Sequence, residues 1–233
     1  MLKKENVGPL EDELGSLTNY DKLKVEILNN FFHECLAVRG GEIRAAAGEG
    51  GAELLHWLPA DVGEWNKDFP DCGGRAQSPI NVDTQKTVYD RALTTIQLSG
   101  YDVTSGETLK LKNNGHTVVL QLPDNLRIVE GLTRTYDAVQ LHFHWGSRAS
   151  PGSEHTVNGQ KFPGEIHVVH YSTEYESLDD AITQPGGLAV LAAFIEEGPD
   201  DNEPYGHLLS YLRDVREAGE CNVLSMYLIA QNV

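Results

Sequence analysis

The sequence predicts a mainly β fold with few short helices, built around a large, twisted and mostly antiparallel sheet. From residue 77 onwards, short runs rich in β-branched and aromatic residues follow one another, with turn-forming residues between them. Helical patterns are scarce in the same region. The regular alternation of strands and helices that builds a parallel sheet is therefore not expected.

The individual elements follow in chain order. A turn at residues 77–81 leads into extended structure. Helical patterns are limited to two regions, at 178–182 and 205–216. The predicted strands lie at residues 96–98, 109–112, 117–122, 127–129, 138–144, 165–170 and 188–195.

Length and charge bound the class of protein. A chain of 233 residues is long enough for one large domain with a tail. The formal net charge of −17 disfavours nucleic acid and anionic membrane surfaces as partners. No run approaches the ~20 apolar residues of a membrane helix. Acidic residues occupy positions 11–13, where a signal peptide would have its apolar stretch, so no targeting segment is expected.

The cysteines are too few for a disulfide framework: Cys35, Cys72 and Cys221.

Residues 1–55 differ in character from the rest. Between positions 21 and 38, apolar residues recur at helical spacing and predict an amphipathic helix. Gly40 and Gly41 end it, and the glycines at 48–51 predict a flexible linker. This helix is either a docking element or a surface appendage without specific contacts.

Two histidine-bearing runs stand out. In Gln140-Leu-His-Phe-His-Trp-Gly, His142 and His144 are two residues apart, so a β-strand places both rings on one face. The second run, Glu165-Ile-His-Val-Val-His, is also strand-like. If the two strands are neighbours, His167 completes a face of three imidazoles, which is the ligand set of a catalytic zinc with one open position. The alternative is three buried histidines that serve the fold alone.

Five motifs resemble the α-class carbonic anhydrases, and they occur in family order. They are Q-S-P-I-N at 77–81, N-N-G-H at 113–116, Q-L-H-F-H-W-G at 140–146, G-S-E-H-T-V at 152–157 and E-I-H-V-V-H at 165–170. The resemblance covers about residues 56–213 and is closest to extracellular and membrane-associated members. It implies zinc at His142, His144 and His167, and the reversible hydration of carbon dioxide to bicarbonate and a proton. Carbonic anhydrases are themselves the standard example of zinc acidifying a bound water.

The resemblance also implies roles around the metal. Gln140 and Glu165 would hydrogen-bond the ligands His142 and His167 and fix their tautomers. His116 would carry the proton to buffer, for which an imidazole is suited near neutral pH, and Asn114 would order the intervening water. Taken alone, a histidine after Asn-Gly is more often a surface turn residue.

Other positions gain roles from the same resemblance. Glu154 would accept a hydrogen bond from a threonine that orients the nucleophile, whereas His155 and His170 would be structural. Val169, Leu188 and Val190 would form the apolar pocket for carbon dioxide, although a strand valine is ordinarily a core residue.

The sequence departs from the family pattern in places. The family segment S-L-T-T-P-P, which carries the orienting threonine, does not occur. The resemblance therefore implies a sheet that is incomplete at its C-terminal side, with an unpaired edge. Cys72 lacks its usual partner, for which Cys221 is an unsupported substitute, and Pro59 stands where the family usually has a tyrosine.

Three segments and two functions follow. Residues 1–55 are expected to be an extension, 56–216 a truncated carbonic anhydrase-like domain, and 217–233 a divergent tail. The first function is zinc-dependent hydration of carbon dioxide, with carbon dioxide and bicarbonate as the small-molecule partners. The alternative is a zinc-binding, catalytically weak relative that acts as a binding module. The resemblance favours an extracellular or membrane-associated protein, whereas the absence of a targeting segment leaves the cytoplasm open.

Overall fold

The computed structural model describes residues 77–101, 108–147, 149–197 and 210–225, together with positions 67, 73, 74, 206 and 208. Several expectations fall outside these residues: the helix at 21–38, the linker at 48–51, and the roles of Pro59 and Cys72.

The described residues are mostly strand. There is one short α-helix, α1 (Leu178–Ala181), and a 3₁₀ turn at Leu212–Asp214. The strands are β1 (Asn81–Val82), β2 (Gln97–Ser99), β3 (Thr108–Asn113), β4 (Val118–Gln121), β5 (Arg127–Glu130), β6 (Tyr136–Trp145), β7 (Thr156–Val157), β8 (Gly164–Ser172), β9 (Leu188–Ile195) and β10 (Cys221–Ser225).

Eight of these strands form one sheet that is not closed, which confirms the predicted fold class. Strand β6 lies at its centre, with β4 and β5 on one side and β8 on the other. Beyond β4 come β3 and β10, beyond β5 comes β2, and beyond β8 comes β9. All pairings within this sheet are antiparallel, whereas β1 and β7 form a separate two-residue parallel pair.

The register between β6 and β8 determines which histidines of the two strands lie side by side. His142 lies directly opposite His167, and His144 lies opposite Glu165. The register shifts between Ala138 and Gln140, so one irregularity precedes the histidines. Because β8 is covered by strands on both edges and packed on both faces, eight of its nine residues are buried. The strand that carries His167 therefore belongs to the core.

One core cluster extends along the inner strands, and it includes Leu111, Leu120, Ile128, Leu141 and Val168. Burying apolar side chains of this size contributes about 1.5–3 kcal/mol each. Val215 and Leu224, from the C-terminal part of the described chain, also pack into it.

The segment expected to be a divergent tail contributes a strand. Residues 221–225 form β10 and pair with β3 in five residue pairs, from Cys221 opposite Lys112 to Ser225 opposite Thr108. Among the described strands, β2, β9 and β10 each pair with a single neighbour, so the sheet has an open edge at each of them.

Helical structure is as scarce as expected. Ser177 caps α1, since its hydroxyl oxygen accepts a hydrogen bond from the Asp180 amide at 3.2 Å. Positions 206, 208, 210 and 211 are helical, as predicted for the region 205–216. Of the helices that the structure describes, none has the length and apolar character to cross a bilayer.

Candidate metal centre

Three imidazole rings meet on one face of the sheet. The ring centroids of His142 and His144 are 5.0 Å apart, those of His142 and His167 are 5.2 Å apart, and those of His144 and His167 are 4.6 Å apart. One nitrogen from each ring lies within 4.8 Å of the others. The i, i+2 spacing in β6 and the cross-strand pairing with β8 account for this convergence.

Two of the three rings are held from behind by a residue two positions earlier on the same strand. His142 Nδ1 donates to Gln140 Oε1 at 2.9 Å, and His167 Nε2 donates to Glu165 Oε1 at 2.8 Å. The proton on each bound nitrogen leaves the other nitrogen, Nε2 of His142 and Nδ1 of His167, with a free lone pair. Such outer contacts are what orient histidine ligands of a metal.

The third ring carries an unsatisfied atom. His144 Nε2 is buried and has no hydrogen-bond partner among the described residues. Its nearest charged neighbour is Glu154 Oε2 at 3.4 Å, and the same oxygen lies 3.9 Å from His167 Nδ1. A buried nitrogen without a partner is costly, and a cation at the centre of the three rings would satisfy it. Three imidazoles fit zinc in particular.

Glu165 is a buried anion with four hydrogen bonds. Its side chain is 1% exposed. Oε1 accepts from His167 and also from His155 Nδ1 at 2.6 Å, while Oε2 accepts from the backbone amides of Glu154 and His155, both at 2.9 Å. Burial opposes ionisation, but the hydrogen bonds from His155 and His167 outweigh it and hold the pKa of Glu165 well below its usual range. This carboxylate therefore ties the 152–157 segment to β8.

Two glycines allow that segment to close on the end of β6. A Cβ atom at Gly146 would collide with the Ser150 carbonyl, and one at Gly152 would collide with the Trp145 backbone. Side chains larger than hydrogen are thus excluded where the segment passes β6. The close approach brings Glu154 beside His144.

The rings are poised to remain neutral. Burial, followed by the neighbouring rings of His167 and His144, lowers the pKa of His142 to about 3. Burial also lowers the pKa of His144. Neutral imidazoles are the form that binds a metal, so this environment favours coordination over protonation.

A cavity of about 640 Å³ opens in front of the rings. His144 and His167 lie in its wall. His116, in the turn between β3 and β4, also lines it. Ser78 also lines it, and its Oγ is 3.1 Å from His155 Nε2. The remaining lining residues are Pro79, Phe143, Trp145, Gly152, Ser153, Glu154, His155 and Lys161.

His116 sits in a tightly hydrogen-bonded turn. The side-chain oxygen of Asn114 accepts from the amides of His116 at 2.9 Å and Thr117 at 2.8 Å. Gly115 adopts a φ of 88°, which a glycine accommodates without strain. The side-chain oxygen of Asn114 is thus engaged by the turn itself, and the role of Asn114 in ordering water stays a prediction.

The three residues assigned to an apolar pocket lie on the same face of the sheet as His167. Val169 shares the strand face of His167, and it pairs with Val190 in β9. Leu188 packs against Ala181 and Ile182. All three are buried, and none of them lines the described cavity.

His170 lies on the opposite face of β8 from His167 and is fully buried, as expected for a structural residue. Its Nδ1 donates to the Val168 carbonyl at 3.0 Å, and its Nε2 lies 2.6 Å from the Tyr101 hydroxyl. Burial lowers the pKa of His170 to about 4.

Sequence reasoning missed three contacts. Ser78 was noted within the Q-S-P-I-N motif, but its contact with His155 was not foreseen. Glu165 was assigned to His167 alone, whereas it also binds His155. Thr117 was placed in a strand without a role, and its hydroxyl contacts the Phe143 backbone between the two β6 histidines.

Comparison with known proteins agrees with the geometry. The family model for eukaryotic-type carbonic anhydrase matches residues 60–231, which extends past Arg213, where we expected the resemblance to end. Carbonic anhydrase 6 from Bos taurus is 44% identical over 167 residues, which is 70% of this chain and 52% of that protein. Carbonic anhydrase 12 from Homo sapiens is 41% identical over 172 residues, covering 73% and 48%.

A third relative gives the same result. Carbonic anhydrase 15 from Mus musculus is 36% identical over 173 residues, 71% of this chain and 53% of that protein. The chain thus spans about half the length of the curated relatives it matches. With three imidazoles converging on one face and a family model matched along most of its length, this chain belongs to the eukaryotic-type carbonic anhydrase family.

Proposed function

We propose that the protein catalyses the zinc-dependent, reversible hydration of carbon dioxide to bicarbonate and a proton. The observation that carries the proposal is the convergence of three imidazole nitrogens, two of them fixed from behind by Gln140 and Glu165. His142, His144 and His167 would hold the zinc ion. When bound, zinc supplies a Lewis acid that makes a water molecule nucleophilic near neutral pH.

The chain's own residues divide the remaining work. His116 is the proton carrier in this proposal, because its ring lies on the wall of the same cavity as His144 and His167. Asn114 holds the turn of His116 in place. Glu154, whose carboxylate faces the rings, is the polar group that would orient the attacking water.

Val169, Leu188 and Val190 are the apolar residues assigned to carbon dioxide in this proposal, and they lie buried outside the lining of the described cavity. Their support is position: Val169 continues the His167 face of β8, and Val190 lies beside it in β9. Carbon dioxide makes few hydrogen bonds, so proximity and exclusion of competing water would dominate its binding. An extracellular or membrane-associated location remains a prediction.

A second function is supported by one contact. Glu154 Oε2 lies 3.4 Å from His144 Nε2 and 3.9 Å from His167 Nδ1, so a carboxylate stands beside two of the three rings. A fourth protein ligand closes a zinc site, and closed sites are structural. The chain would then be a zinc-binding, catalytically weak relative.

One experiment separates the two functions. The purified chain is assayed for stoichiometric zinc and for carbon dioxide hydration by stopped flow, with and without a sulfonamide. Bound zinc with sulfonamide-sensitive hydration supports the enzyme. Bound zinc with hydration at the background rate selects the closed site, which the Glu154→Gln variant tests further through the visible spectrum of the cobalt-substituted protein. A folded chain that binds no metal refutes both.

A further inference from the structure

We propose that Thr117 is a positioning residue, whose hydroxyl joins the turn that carries His116 to the strand that carries His142 and His144. The inference rests on the proposed function, because it assigns Thr117 to the proton-transfer step. Thr117 touches no reacting atom and would act through its neighbours.

The hydroxyl makes both of its hydrogen bonds to one residue. Thr117 Oγ1 donates to the Phe143 carbonyl at 2.5 Å and accepts from the Phe143 amide at 3.3 Å. A hydroxyl can do both at once, since it has one proton and two lone pairs. Phe143 stands between His142 and His144 in β6, so this contact lies at the centre of the ligand-bearing segment.

The contact replaces backbone pairing at the point where the strands part. The register of β4 against β6 ends with Val119 opposite His142. Phe143 is the next residue of β6, and its amide and carbonyl are taken by the Thr117 side chain instead of by the backbone of β4. The hydroxyl thereby extends the connection between the two strands to the mouth of the cavity.

The same residue anchors the turn. Thr117 immediately follows His116, and its carbonyl accepts a hydrogen bond from the Asn114 amide at 3.1 Å. Its own amide donates to the Asn114 side chain. The backbone of His116 is therefore held on one side by Asn114 and on the other by a residue attached to β6. Proton transfer through water depends on the separation of donor and acceptor. The attachment of Thr117 to β6 would therefore fix the distance between the His116 ring and the three-ring cluster.

The decisive comparison is Thr117→Val against Thr117→Ser. Valine keeps the shape and loses the hydroxyl, whereas serine keeps the hydroxyl. We expect Thr117→Val to lower kcat for carbon dioxide hydration by about tenfold, with kcat/KM nearly unchanged, because kcat alone contains the proton-transfer step. Imidazole in the buffer should restore kcat. Thr117→Ser should behave like the unmodified protein.

Thr173→Val is the matched control. The Thr173 hydroxyl also bonds a backbone carbonyl across the sheet, that of Thr135 at 3.3 Å, but it lies away from the three rings. Its removal should leave kcat and kcat/KM unchanged. A similar loss of kcat in Thr173→Val would mean that any lost hydroxyl loosens the fold, and it would overturn the assignment to Thr117.

Two readouts do not depend on activity. Hydrogen exchange of the Phe143 amide should accelerate in Thr117→Val and not in Thr117→Ser. In the cobalt-substituted protein, paramagnetic relaxation of the His116 ring protons should show a broader distribution of distances to the metal in Thr117→Val. Unchanged Phe143 exchange and unchanged relaxation would overturn the proposal, as would equal losses of kcat in the valine and serine variants.

Failure of the proposed function would be recognised separately. A chain that binds metal without hydrating carbon dioxide refutes the enzyme, and the exchange and relaxation measurements then decide the role of Thr117 alone. If Thr117→Val does not fold, Thr117→Ala takes its place in the comparison with Thr117→Ser.

Discussion

Oε1 of Glu165 lies 2.8 Å from Nε2 of His167, and the two side chains are 1% and 3% exposed. The carboxylate stays ionised because the hydrogen bonds from His155 and His167 outweigh the effect of burial on its pKa. The ring of His167 therefore presents Nδ1 to the other two histidines, and this is the tautomer that the proposed zinc site requires.

Replacing Glu165 by glutamine should weaken zinc binding. The amide removes the charge and forces at least one of the four present donors to lose its partner. Loss of such an outer contact lowers metal affinity by about 10–100-fold. Competition with a chromophoric chelator measures this. Glu174→Gln is the matched control, since Glu174 is largely exposed and pairs with Arg134 instead. Equal zinc affinity in Glu165→Gln and the unmodified chain would contradict the assigned role.

Removing a ligand should abolish stoichiometric zinc. We expect His142→Ala and His167→Ala to lose the metal on dialysis against a weak chelator, because two imidazoles hold zinc poorly. His116→Ala should keep it, since that ring lies on the cavity wall apart from the three-ring cluster. Elemental analysis of the dialysed proteins provides the measurement. Retention of one zinc per chain in His167→Ala would show that the metal lies elsewhere.

His116→Ala should separate hydration from proton release. We expect kcat to fall by about a hundredfold, as is typical for the loss of a group that transfers protons, while kcat/KM for carbon dioxide stays within about twofold. Added imidazole should restore most of kcat. Stopped-flow assays at several buffer concentrations test this. A parallel fall of kcat and kcat/KM would assign His116 to a different step.

The fold should lose stability in mild acid because of His170. An unfolded histidine has a pKa of about 6.5, whereas burial lowers that of His170 to about 4 in the fold. Above pH 6.5 neither state is protonated. Between pH 6.5 and 4 the unfolded chain takes up a proton that the folded chain refuses, so stability falls as pH falls, by about 3 kcal/mol for this group. Below pH 4 its contribution changes no further.

Urea unfolding at a series of pH values measures this slope. His170→Gln has no titrating ring beside Tyr101. Between pH 6.5 and 4, the free energy of unfolding of this variant should change less steeply with pH, because unfolding takes up about one proton fewer. Identical slopes in both proteins would show that acid sensitivity comes from other groups.

The sequence was most informative about the two strands that carry His142, His144 and His167. The strands β6 and β8 were predictable because their sequences are rich in β-branched, aromatic and other apolar residues. Their pairing entered the sequence analysis only as a condition, and the structure shows them paired with His142 opposite His167. Local pattern alone does not specify which strands become neighbours, because that depends on contacts far apart in sequence.

Other features depended on geometry that residue patterns do not encode. The contact of Thr117 with Phe143 exists because β4 stops pairing with β6 after Val119, and a strand's last pair is not visible in its composition. Likewise, the bond between His155 and Glu165 requires the 152–157 segment to fold over β8. Strand β10 was not expected, because residues 217–233 were expected to be a divergent tail and the pairing of β10 with β3 joins segments far apart in the sequence.

The direct opposition of His142 and His167 has a consequence for folding fidelity. If β8 slipped by a single residue along β6, His167 would turn to the other side of the sheet and the three-ring cluster would vanish. A metal ion that binds only the correct alignment adds its binding energy to that alignment and to no other. Zinc would then stabilise the native register of β6 and β8 over a shifted one, and this effect on folding would be separate from any role in catalysis.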